Sequence, residues 1–148
     1  MGSMVGWHCN DCGAEESFLC GGGMMGINEP AVVDCSKDGT FGSAMKALFA
    51  DGIPNGWTVF TENAFYLCPN CGGIADGGTL RIDDGGSGWL VYHMEPSPCP
   101  ACGERLLFWD DKVPMGEREL MVRCEGYAEQ GCPKCVSKNI SLPAGEWD

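Results

Sequence analysis

Three features of this 148-residue chain predict a small, mainly β protein stabilised by metal, built in two units with one short α-helix. Its cysteines come in pairs, its apolar residues fall in short stretches, and Gly- and Pro-rich turns separate those stretches. Of 11 cysteines, eight form four Cys-x-x-Cys pairs: Cys9/Cys12, Cys68/Cys71, Cys99/Cys102 and Cys132/Cys135. Two intervening residues let both thiolates of a pair converge on one tetrahedral ion from a tight turn, and two such turns complete a four-sulfur site. Four pairs therefore predict two metal ions per chain. The odd cysteine total argues against a disulfide scaffold. So does the opening Met1-Gly2-Ser3-Met4-Val5, which shows no basic flank and no apolar stretch. The expected location is cytoplasmic.

Along the chain, Val5 to His8 reads as a short strand leading into the first cysteine pair. Cys20 to Gly26 is too glycine-rich for a regular element and reads as a loop, with Met24 and Met25 expected to fill a gap. Ser43 to Ala50 is the one clear helix: Ser43 serves as N-cap, Ala44, Met45, Leu48 and Phe49 share a face, and Gly52 ends it before Pro54. Trp57–Phe60 and Ala64–Leu67 read as two strands, the second delivering the chain to Cys68. Thr79–Asp83 and Trp89–Met94 flank Asp84-Gly85-Gly86-Ser87-Gly88, a hairpin signal. On it Leu80 and Ile82 face one side, with Leu90, Tyr92 and Met94 alternating likewise on the return strand. Pro96-Ser97-Pro98 marks the expected boundary between an N-terminal unit, 1–95, and a C-terminal unit, 96–148. In the latter, Arg105–Trp109 and Glu119–Arg123 read as a second strand pair, followed by a loosely held tail from Ser141.

Apolar residues are 44% of the chain, and a core of that size divided in two is marginal. A structural zinc contributes ~10–16 kcal/mol of apparent binding energy in such modules, against a whole-domain stability of ~5–15 kcal/mol. The metals are therefore expected to decide whether the chain folds.

The residues within the pairs sharpen the metal reading. Three of them read Cys9-Asn10-Asp11-Cys12-Gly13, Cys68-Pro69-Asn70-Cys71-Gly72 and Cys99-Pro100-Ala101-Cys102-Gly103. Proline after the first ligand presets φ, and glycine after the second permits the positive φ at which the chain doubles back. These turns resemble the knuckles of zinc ribbons and rubredoxins, so each unit is expected to be zinc-ribbon-like. The fourth, Cys132-Pro133-Lys134-Cys135, departs by carrying Val136 in place of glycine. The whole order is an N-terminal Cys-x-x-Cys-Gly, a Gly-Met-Met loop, a short helix and repeated Cys-Pro-x-Cys knuckles. It resembles bacterial proteins of unassigned activity that carry several zinc knuckles, and the resemblance implies the fold alone.

Sequential pairing would place Cys9, Cys12, Cys68 and Cys71 on one Zn2+ and Cys99, Cys102, Cys132 and Cys135 on the other, because each loop then encloses recognisable structure. The alternative joins the two middle pairs, leaving the outer pairs to meet and draw the termini together. Loop-closure entropy grows too slowly with length to decide. Cys124 is expected to be a small buried residue at a strand end, with Cys20 and Cys35 similar or idle. His8 is expected at the surface or beside the first ligand.

Zinc held by four thiolates has no open position for substrate, and the expected role is therefore non-catalytic: a structural zinc-binding protein that contacts another protein. With 9 basic and 21 acidic residues the net charge is −12, which suits a basic partner and opposes phosphate binding. The basic residues of the C-terminal half are interleaved with acidic ones, so a nucleic-acid-associated zinc ribbon is a weaker alternative. A rubredoxin-like iron electron carrier is another, since Cys99-Pro100-Ala101-Cys102-Gly103 with Phe108 resembles a rubredoxin knuckle and its aromatic. His93-Met94-Glu95 and Pro98-Cys99-Pro100-Ala101-Cys102 spell the zinc-deaminase pattern, but the two motifs are nearly contiguous and neither sits on an expected helix. No apolar run is long enough to span a membrane.

Overall fold

The computed structural model describes residues 2–22, 29–86, 88–93, 96–105 and 113–147. The chain divides into two compact units, one formed by Met1–Gly21 together with Met115–Asp148, the other by Gly22–Pro114. The observed division thus differs from the expected cut after residue 95. Pro96-Ser97-Pro98 lies within the second unit, where the Ser97 amide donates to the Asp76 carbonyl at 2.8 Å.

In the first unit, β1 (Gly2–Cys9) is the central strand. It pairs antiparallel with β2 (Glu15–Cys20) on one side and with the two strands near the C-terminus on the other. His8 lies opposite Glu15 and Trp7 opposite Glu16, so the six residues from Cys9 to Ala14 form the tip of a hairpin. Val5, Trp7 and Cys9 alternate into the core, the period expected of a half-buried strand.

Against β1 packs a 14-residue helix over Glu117–Gln130. The five-residue window Glu119–Arg123 was expected as a strand; its partner stretch, Arg105–Trp109, lies mostly outside the described residues. Burial shows the helical period instead. Leu120 and Cys124, four apart, are 0% and 2% exposed, whereas Val122 between them is 56% exposed. Tyr127, one turn further on, stacks on Trp7 with ring centroids 4.7 Å apart, and Trp7 donates its indole N–H to Glu16 at 2.8 Å. Glu117 and Glu119 sit in the first turn, where the helix dipole favours negative charge.

The C-terminal stretch, expected to be a loosely held tail from Ser141, is paired into the sheet. Ile140–Ser141 and Ala144–Trp147 are strands on β1, with Cys9 opposite Ile140 and Gly2 opposite Trp147. Backbone pairing rather than apolar content holds this segment, and composition alone carries no sign of it.

The second unit carries an antiparallel meander of Thr58–Leu67, Ile74–Asp83 and Trp89–His93. The first of these is one continuous strand of ten residues where two were expected, because Thr61, Glu62 and Asn63 stay in register with Leu80, Thr79 and Gly78. The hairpin around Asp84–Gly88 is where the sequence placed it, and Leu80 and Ile82 are fully buried; Leu90 and Tyr92 on the return strand are 43% and 36% exposed.

Two helices, Glu29–Asp38 and Ser43–Leu48, supply the cover for Leu80 and Ile82. Val32, Met45 and Phe49 pack with Val59, Leu80 and Ile82 into one core. The first of these helices was not foreseen: its apolar content is little more than Val32 and Val33, and β-branched residues are poor helix signals. In the second, Gly42 rather than Ser43 is the N-cap, with no side-chain cap hydrogen bond. Met45 and Phe49 are buried as expected, but Ala44 and Leu48 face solvent. The Met24-Met25 loop lies outside the described residues.

Candidate metal centres

Each unit holds one group of four cysteines. Cys9, Cys12, Cys132 and Cys135 converge in the first, Cys68, Cys71, Cys99 and Cys102 in the second, and within each group the four Sγ atoms lie within 4.8 Å of one another. All eight expected ligands are thus brought together in fours, but the sequential pairing is wrong: the middle pairs meet, and the outer pairs meet. The cause lies in the strands. The hairpin with Leu67 opposite Ile74 carries Cys68 and Cys71 at its tip, while pairing of β1 with Ile140–Ser141 brings the last knuckle beside the first.

All four knuckles share one backbone geometry. The amide of the first cysteine donates to the carbonyl five residues on: Cys9 to Ala14, Cys68 to Gly73, Cys99 to Glu104 and Cys132 to Ser137, at 2.7–2.9 Å. The residue after the second cysteine donates back to the first, Gly13 to Cys9, Gly72 to Cys68, Gly103 to Cys99 and Val136 to Cys132. A third contact aims an amide at sulfur, shown by Gly73 N–H to Cys71 Sγ at 3.3 Å. Ala14, Glu104 and Ser137 do the same for Cys12, Cys102 and Cys135. Val136 therefore reproduces the glycine turn despite its side chain, with φ of 56° beside 73°, 74° and 75° at Gly13, Gly72 and Gly103.

Sulfur spacing fits a tetrahedral ion. Cys9–Cys135 and Cys12–Cys132 are 3.5 Å apart, Cys71–Cys99 3.5 Å and Cys68–Cys102 3.7 Å. A Zn–S bond of ~2.3 Å implies a tetrahedron edge of about 3.8 Å. The first cysteine of every knuckle is buried, at 0–2% exposure. Cys12, Cys71 and Cys102 are exposed and Cys135 is half-buried.

Without a cation the four thiols of each group oppose one another. The Gly73 amide favours the Cys71 thiolate, yet the sulfurs of Cys102, Cys99 and Cys68 together with burial push it up to about 12. The Asn70 side chain and the Glu104 amide hold Cys102 down at about 6. In the other group, Cys135 goes up to about 12, the Ser137 amide being outweighed by Cys12, burial and the remaining sulfurs. Burial acts against the Cys132 thiolate, but the Cys135 and Lys134 amides and Cys12 bring it down to about 7. Four thiolates this close repel one another, and the charge of a divalent ion lets all four ionise together.

No protein-family model, curated protein or solved structure matches this chain.

Polar residues that the cysteine spacing did not single out brace the first site. Asn10 donates from its backbone to the Asn139 carbonyl at 2.9 Å, and its side chain reaches Asn139 Oδ1 and Ser141 Oγ at 3.1 and 2.9 Å. Asp11 accepts from Ser137 Oγ and from Asn139 Nδ2, and these two bonds hold its carboxyl below the usual range. Their only sequence signal is position, inside or just after a knuckle. At the second site, Gly73 lets the backbone approach the sulfurs: a Cβ there would lie 3.1 Å from Cys99 Sγ and 3.2 Å from Cys71 Sγ. Cys124 is buried on the helix, not at a strand end, and burial pushes its thiol up to about 11. Cys20 and Cys35 are half-buried and belong to neither group. His8 pairs with Glu15 at 3.1 Å beside the first ligand.

Proposed function

We propose that the protein is a non-catalytic, structural zinc-binding protein of the zinc-ribbon type, carrying two Zn2+ and serving as a contact module for a basic protein partner in the cytoplasm. The observation that carries this reading is the convergence of four sulfurs in each unit at tetrahedral spacing, which fills the coordination sphere and leaves no position for a reacting group. Each Zn2+ with four thiolates carries about −2, adding to a chain charge of −12, and such a surface favours association with basic partners in a salt-dependent way.

Native mass spectrometry of protein purified from its host tests the metal: two zinc ions per chain are expected. Affinity capture at low and high salt tests the partner, whose retention is expected to fall as salt rises. A chain without bound metal, or a bound protein whose retention ignores salt, overturns the corresponding part.

A second reading, a rubredoxin-like iron carrier, draws support from the amide aimed at the second sulfur of each knuckle, since hydrogen bonds to sulfur tune iron–sulfur potentials. Visible absorption that bleaches on reduction would favour it over zinc.

A further inference from the structure

We infer that the two metal sites are unequal in kind: the Cys9/Cys12/Cys132/Cys135 site holds its ion permanently, whereas the Cys68/Cys71/Cys99/Cys102 site is an exchangeable, oxidant-responsive thiolate centre. The inference rests on the zinc reading and adds a regulatory role to one of the two sites.

The first argument is how the facing knuckles are joined. Across the permanent site, Asn10 and Asp11 of one knuckle bond to Ser137, Asn139 and Ser141 beyond the other. Those bonds tie the facing knuckles to each other beside the ion, and outer contacts of this sort raise metal affinity. The corresponding positions of the other site are Pro69 and Asn70 in one knuckle and Glu104, Leu106 and Phe108 beyond the other. Proline, leucine and phenylalanine have no side chain that can hydrogen-bond; Asn70 reaches across, and its partner is the Cys102 sulfur itself, at 3.5 Å. Loss of the ion or oxidation of that sulfur removes this bridge as well.

The second argument is access. In the exchangeable site both second cysteines, Cys71 and Cys102, are exposed and lie within 4.8 Å of each other. In the other site only Cys12 of the second cysteines is exposed, and Cys135 is half-buried. Lys134 lies between the cysteines of the last knuckle, whereas the Cys68 and Cys99 knuckles carry no cation between theirs; beyond the knuckles, Lys138 and Arg105 stand at the same offset. Solvent-facing thiolates are the ones electrophiles reach first.

The reaction is a two-electron exchange with a peroxide. The thiolate of Cys71 or Cys102 attacks one peroxide oxygen and breaks the O–O bond, giving a sulfenic acid and one hydroxide. The second thiolate then displaces hydroxide from that sulfur, forming a disulfide. Two thiolates have lost two electrons, hydrogen peroxide has become two hydroxides, and Cys68 and Cys99 remain as a two-sulfur remnant with weakened hold on the ion.

The test uses the full chain loaded with two Zn2+ and treated with increasing hydrogen peroxide. Native mass spectrometry follows the ions, and alkylation with peptide mapping locates the oxidised cysteines. The expected result is a one-zinc intermediate in which Cys71 and Cys102 are oxidised and Cys9, Cys12, Cys132 and Cys135 are still protected. Asn139→Ala is expected to speed zinc loss from the first site by about tenfold, at the lower end of what outer-contact changes cost in metal affinity, and to leave the second site unaffected. Simultaneous loss of both ions, or first loss from the Cys9 site, overturns the inference while leaving the zinc reading intact. A chain that never takes up two ions overturns both.

Discussion

Val136 occupies in the last knuckle the left-handed position that Gly13 occupies in the first, with φ of 56° against 73°. For an L-residue that conformation costs ~1–2 kcal/mol, and a β-branched side chain is a marked outlier there. The knuckle keeps its shape because the amide of Val136 still donates to the Cys132 carbonyl at 2.8 Å and the side chain is 81% exposed, so it meets little. Val136→Gly is therefore expected to stabilise the zinc-loaded protein by about 0.5–1 kcal/mol, the strain relief exceeding the extra chain freedom of glycine. Denaturant midpoints at fixed zinc measure it, and a lowered midpoint would contradict the strain argument.

Glycine at 73 has the opposite requirement. Its place is fixed by room and not by φ, because an added Cβ would press on Cys99 Sγ, Cys71 Sγ and the Ala101 Cβ at 3.1–3.2 Å. Gly73→Ala is expected to weaken zinc at the second site by roughly 5- to 150-fold, corresponding to ~1–3 kcal/mol for overpacking, with the first site unchanged. Competition with a chromogenic chelator reads the two affinities separately.

Removal of both ions is expected to unfold the chain. The cluster of Ala64, Tyr66 and Ala75 is completed by two ligands, Cys68 and Cys99, so the metal site and that core form one body. Loss of near-ultraviolet circular dichroism on chelation, restored by adding zinc back, is the expected signature. An unchanged spectrum in a chelated, metal-free sample would count against it.

Cys124 gives a pH dependence of known sign. Its thiol is raised to about 11, mainly by burial and next by Glu16, whereas an unfolded cysteine ionises near ~8.5. Between these values the unfolded chain releases a proton that the folded chain keeps, so stability is full below the lower value and falls as pH climbs toward 11. Cys124→Ala is expected to flatten this part of the curve. For the same reason the native thiol should resist iodoacetamide near neutral pH and react once the chain is unfolded.

The ligands could be read from sequence because Cys-x-x-Cys spacing is a local property, fixed by the length of one turn. Which knuckles meet is not local. It depends on β1 having Glu15–Cys20 on one side and the C-terminal strands on the other, and those strands contain only Ile140, Ala144 and Trp147 among apolar residues. The helix over Glu117–Gln130 was missed for a related reason: Leu120 and Val122 alternate over five residues as a strand would, and only the longer series Leu120, Cys124 and Tyr127 shows the helical repeat. The strand through Thr61-Glu62-Asn63 was split because polar residues at its middle read as a turn, although partners on the neighbouring strand keep it straight.

Because Gly22–Pro114 lies in sequence between the two halves of the other unit, the two sites cannot close in chain order during synthesis. Cys12 precedes Cys132 by 120 residues; at ~5–20 residues per second a ribosome needs ~6–24 s to cover that interval. Cys68 and Cys102 are 34 residues apart, and the inner site can therefore assemble while the earliest cysteines of the nascent polypeptide still await partners that have yet to be translated.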